Sequence, residues 1–157
     1  MGLSMSTAIA QIRDLVAEVT GLTAVYAPSE TDGNRLPVAL NDLPCAIVLP
    51  GPTRQYILSA GQHRHTYAVI INIYEALGAD IGDASNVILP MVDRVIEQFA
   101  GNVGLADADG SDPRANSCLF ESSSGFQELE YSGIPYIGYV ITLRVSEQAS
   151  AAPVLGS

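Results

Sequence analysis

Two histidines two positions apart, His63 and His65 in "HRHTY", have the spacing of two metal ligands on one side of a strand, since alternate strand residues share a face. A zinc site takes three or four protein ligands. No histidine or cysteine cluster elsewhere supplies an obvious third, so the pair reads as two exposed imidazoles near a hairpin tip. "DADGSD", Asp107–Asp112, alternates oxygen ligands at Asp107 and Asp109 in the manner of a calcium loop. Counted from Asp107, the sixth position holds Asp112 where the EF-hand turn requires glycine, and the twelfth holds Cys118 where a bidentate glutamate belongs. The segment therefore reads as a solvated acidic loop. Nucleophiles fare no better. Cys45 lies within an apolar run, the serines of "ESSSGF" stand in no G-x-S-x-G elbow, and neither histidine has a discernible partner carboxylate. "GNVG" precedes no P-loop lysine, and the chain has no lysine at all. These residues predict no catalytic centre, no cofactor and no metal.

"YSGIPYIGYVITLRVSE", Tyr131–Glu147, spaces tyrosines between glycines and a proline as a ligand loop does, yet no acid, base or cation accompanies them. Pro135 biases Ile134 towards extended geometry, and Gly138 interrupts the strand that follows. The stretch reads as a tight corner that sets the register of a final hairpin, with tyrosines that brace the sheet or a subunit contact.

The elements that must carry these residues follow from periodicity. From Ser6, Ile9, Ile12, Val16 and Val19 recur at helical spacing, with Gly21 available to end the helix. A loop rich in turn residues follows, and Pro44 then introduces "CAIVLPG", a continuous apolar run expected to be a central strand buried on both faces. "QYIL" and "HRHTYAVIINIYEA" are strand-like and separated by "SAGQ", which predicts a hairpin. In the second strand Tyr67, Val69, Ile71 and Ile73 share one face, and Ala68, Ile70, Asn72 and Tyr74 the other. "DASNVILPMVDRVIEQFAGN" gathers Val87, Ile88, Met91, Val92, Val95, Ile96 and Phe99 on one helical stripe. Pro90 falls inside it, so the helix either begins near Leu89 or is kinked with one hydrogen bond lost. A long polar loop leads to "CLFESSSGFQELEY" and "PYIGYVITLRVSE"; in the latter Ile137, Tyr139, Ile141, Leu143 and Val145 face one way. The expected fold class is α+β: a mostly antiparallel mixed sheet with two helices packed on one face, plus an extended β-hairpin. Residues 1–147 are expected to form one domain and residues 148–157 a flexible tail.

Composition narrows the partners. Hydrophobic residues make up 48% of the 157 and charged residues only 15%, so the surface relies on neutral polar groups and tolerates association. The formal charge is -10, and the arginines are scattered singly, which argues against gripping nucleic acid because duplex affinity comes from clustered cations. The two cysteines sit in apolar contexts as free thiols, and "YAVIINIY" is too short to cross a bilayer, so a membrane partner is not expected.

With this order of elements, the chain resembles the tail terminator (tail completion, minor tail protein U-like) family of long-tailed bacteriophages. The resemblance rests on the N-terminal helix, "CAIVLPG", "HRHTYAVIINIYEA" leading into "SNVILPMVDRVIEQF", and "GFQELEYSGIPYIGYVITLRVSE" with its Tyr-x-Gly before a long closing strand. It implies a structural virion protein, not an enzyme, that forms a homo-hexameric ring on the tail tube protein. Such a ring ends tube growth and joins the head connector or neck protein. The protein would be made in the host cytoplasm and reside in the tail or neck of the virion, with DNA passing through without specific binding. Under that resemblance Asp107, Asp109, Asp112, Glu128 and Glu130 are expected to line the lumen and repel the DNA backbone. Arg54, Tyr56, His63 and Arg64, in the outer part of the hairpin, are expected to contact a neighbouring subunit or the tube. The alternatives are another neck component, a head completion or stopper protein, and, in a different class, a small metal-dependent hydrolase using His63 and His65.

Overall fold

The structure, a computed structural model, describes residues 5–28, 43–59, 62–77, 81–101, 103–105 and 116–150. Of residues 5–6, 52–59, 62–65, 76–77, 81–87, 116 and 147–150 it describes the backbone alone. The elements run α1 (Met5–Ala17), β1 (Ala24–Tyr26), β2 (Cys45–Ser59), β3 (Gln62–Leu77), α2 (Ile81–Gln98), β4 (Val103–Gly104), β5 (Asn116–Tyr131) and β6 (Ile134–Ser150). The six strands form one mixed, curled sheet in the order β1-β2-β3-β6-β5-β4. Only β1 and β2 pair in parallel; every other neighbouring pair is antiparallel. The fold is thus α+β with two helices, as the alternation of periods implies.

The main core forms where the two helical stripes meet one face of the sheet. Ile9, Ile12 and Val16 of α1, Ile88, Met91, Val92 and Val95 of α2 and Phe99 just after it pack with Val69, Ile71, Ile73, Ile141, Leu143 and Val145. The strand residues are those the alternating pattern places on one side. β2 is buried on both faces over Cys45–Val48: Ala46 and Val48 belong to the helix-covered core, Cys45 and Ile47 to a smaller cluster on the other side.

α1 closes with shorter bonds from Glu18 N to Leu15 O (3.3 Å) and Val19 N to Val16 O (3.0 Å), followed by Gly21 at φ 111°. Carbonyls at a helix end are short of intrahelical donors, and α2 adds donors there. Gln98 Nε2 donates to Leu15 O (3.2 Å) and Glu18 Oε2 (3.3 Å), and Arg94 Nη1 donates to Thr20 O (2.9 Å). Two residues of α2's polar side therefore fasten one helix to the other.

One expectation left open is decided, and three change. α2 starts at Ile81, well before Leu89, and runs through Pro90, which leaves the carbonyl four residues earlier without its helical N–H. "CAIVLPG" and "QYIL" are not separate strands but parts of β2, which continues through Pro50 and Pro52 with an irregularity between Pro50 and Thr53. β1 covers only Cys45–Ile47; beyond that, β2 has no strand on its outer side among the described residues, and such an edge is where prolines occur in sheets. β1, assigned to no element by periodicity, and β4, read as loop, are strands of three and two residues, too short to carry a period. β6 also continues to Ser150, past Glu147 where the domain boundary was expected, while residues 151–157 lie outside the described residues.

Candidate functional site

The corner at Tyr131 is a two-residue hairpin turn. Tyr131 pairs with Ile134, and Ser132 and Gly133 both have positive φ, 50° and 80°. Those angles match the right-handed twist of the flanking strands. From this turn, Leu129 and Tyr131 on β5 and Tyr136 on β6 meet Tyr74 of β3 and Cys45 and Ile47 of β2, forming the second apolar cluster. Tyr74 stands edge-on to Tyr131 (centroids 6.0 Å apart, 72°) and to Tyr136 (5.7 Å, 81°). Asn72 Nδ2 donates to the Tyr74 hydroxyl at 3.4 Å, and burial raises both the Tyr74 and the Tyr131 phenols above their ordinary value. Raised phenols remain protonated and neutral, which suits bracing and does not suit base catalysis. Gly138 makes the packing possible: a Cβ there would collide with the carbonyl oxygen of Ile73 and come within 2.5 Å of Leu129 Cδ1.

The serines of "ESSSGF" lie on β5 between two irregularities in its pairing with β6. Gln127 Nε2 donates to Ser124 Oγ (2.9 Å), Ser124 Oγ donates to the Gly125 carbonyl (3.1 Å), and Ser123 Oγ lies 3.3 Å from the Tyr139 hydroxyl. Gly125 takes φ 79°. These hydroxyls shape a bulge. Cys45 and Cys118 are buried free thiols, and burial pushes Cys118 up to about 12, far from the thiolate a nucleophile needs. Among the described side chains, no group of three His, Cys, Asp or Glu is placed to hold a metal ion.

The residues expected at an interface separate by register. Tyr56 pairs with Arg64 and Arg54 with Thr66, so Arg54, Tyr56 and Arg64 occupy positions on one face, while His63, paired with Ile57, falls on the other. Of the expected lumen carboxylates, Glu128 and Glu130 are exposed and stand opposite Ile137 and Pro135, whereas Asp107, Asp109 and Asp112 lie outside the described residues. Glu75 escaped sequence reading. It occupies the extra position of a bulge between Tyr74 and Ala76, its Oε2 is buried with no hydrogen-bond partner among the described residues, and burial raises its carboxyl above the ordinary value. A bulge shifts the alternation by one, so no pattern in the sequence marks it.

Among the described residues no helix is long and apolar enough to cross a membrane. Comparison with protein-family models and with curated protein sequences returns no match.

Proposed function

We propose that the chain is a structural virion protein of the tail terminator kind, forming a homo-hexameric ring that caps the tail tube, ends its growth and presents the surface to which the head connector or neck joins. The observation that carries this reading is the order and length of the elements. A helix, a doubly buried strand, a long antiparallel pair, a second helix and a long closing pair succeed one another, and this order supports the resemblance. The pairing of β2 with β3 continues out to Ser59 and Gln62, and in this reading it forms the extended hairpin that reaches a neighbouring subunit or the tube. Arg54, Tyr56 and Arg64, on one face of that hairpin, make the contact; His63, on the opposite face, meets a different neighbour. Glu128 and Glu130, with Asp107, Asp109 and Asp112, face the lumen, where like charge keeps the DNA backbone from adhering.

Electron microscopy of the purified protein mixed with its tube protein tests the reading. Tubes capped by a ring at one end and no longer extending are expected. Tubes that grow unhindered in a molar excess of the protein reject it.

A further inference from the structure

We propose that His63, His65 and Glu147 form a binding site for a divalent transition metal of the zinc class. The third ligand that the sequence withheld is supplied by the sheet. β3 and β6 pair without interruption from Gln62 and Ser150 inwards to Tyr74 and Gly138, and in that register His65 stands directly opposite Glu147 and His63 opposite Ala149. Residues directly opposite in an antiparallel pair share a face, and so do residues two apart on one strand. His63, His65 and Glu147 are thus brought to one face of one strand pair. Their Cβ separations follow from sheet geometry: about 5 Å between His65 and Glu147, and roughly 7 Å for His63 to each of the others.

Two histidines and one glutamate are a set of residue types that zinc accepts. The surrounding register favours a cation. Gln55 and Asn116 continue the row of His65 and Glu147 across β2 and β5, and Ile57 continues the row of His63. The arginines of this region, Arg54, Arg64 and Arg144, occupy register positions on the other face. The chain's formal charge of -10 adds a general attraction for cations. Bound metal ties the outer ends of β3 and β6 together and stabilises the folded chain by mass action. The site stands on strand register alone and does not depend on the ring.

The test is a zinc titration of the untagged full chain, stripped with EDTA and followed by calorimetry at pH 7.5. One equivalent is expected to bind at micromolar metal, with cobalt giving the visible absorption of a tetrahedral site. His63→Ala, His65→Ala and Glu147→Gln are each expected to weaken binding more than about tenfold, while Gln148→Ala, on the other face, leaves it unchanged. A readout that needs no variant comes from the wild-type chain, whose only two histidines must both shift their imidazole NMR signals on adding one equivalent of zinc. Absence of saturable binding, zinc that moves neither imidazole, or binding that survives Glu147→Gln undiminished overturns the site. Each of these results leaves the capping of tail tubes to be judged by microscopy.

Discussion

Glu75 shows how much one residue's environment depends on its strand's irregularity. In an unbroken β3 it would alternate with Tyr74; at the bulge it instead carries a buried oxygen without a partner among the described residues. Because burial raises its carboxyl above the ordinary 4.5, between 4.5 and that raised value the folded chain holds a proton there that the unfolded chain has released. The stabilising contribution of that neutral form is complete below pH 4.5 and is lost as pH rises through the raised folded value. Glu75→Gln, which stays neutral, is expected to be more stable than wild type at pH 7 and indistinguishable from it below pH 4.5. Solvent reaches the rest of this half-buried residue, so the gain at pH 7 should be on the order of 0.5–1 kcal/mol. Urea denaturation at both pH values checks it; equal stability at pH 7 counts against the account. At this scale the sequence was informative wherever alternation was unbroken. The buried faces of β3 and β6 could be read from Tyr67 to Ile73 and from Ile137 to Val145, whereas Glu75 could not.

At the scale of elements, the close approach of three strands at Gly138 is the sharpest constraint. Leu129 of β5 packs over the place where a side chain would stand, and Ile73 of β3 puts its carbonyl there. Gly138→Ala is expected to destabilise by about 1–3 kcal/mol, the usual cost of overpacking a core. Adding Leu129→Ala should relieve little of it, because the Ile73 carbonyl belongs to a paired backbone and cannot turn away as a leucine can. Thermal denaturation of the single and double variants decides the point; full rescue would mean that the side-chain contact, not the backbone, sets the limit. The hairpin at Tyr131 was legible because Ser132-Gly133 suits a turn with two positive φ values. Pro50 and Pro52 misled, because they normally end strands and here lie where β2 has lost its outer neighbour. Pro90 left two readings open, and the packing of Ile88, Met91 and Val92 on the sheet decides for a helix that passes through it.

At the scale of the whole molecule, charge sets the conditions for assembly. Subunits that each carry a formal -10 repel one another, and salt screens that repulsion within about 10 Å at 0.1 M ionic strength. If the chain forms the proposed ring, the fraction assembled is expected to rise between 50 and 500 mM NaCl in light scattering. A fall would point to ion pairs between subunits, such as Arg54 or Arg64 with acidic groups, as the main attraction. Order and texture of the elements allowed the fold class and a family resemblance to be read from sequence. The His65–Glu147 register could not be, because it depends on strands that pair across most of the chain's length.

The place of β6 carries a consequence for synthesis. It is the last described element to leave the ribosome, yet it lies between β3 and β5 and pairs with both along most of its length. Until it arrives, β3 and β5 have open flanks, and Ile71 and Phe120 lack the neighbours that cover them. The sheet therefore cannot close before β6 has been made. Such pairing between distant segments slows folding and exposes sticky strands, so the nascent protein is vulnerable to aggregation until β6 is free to insert.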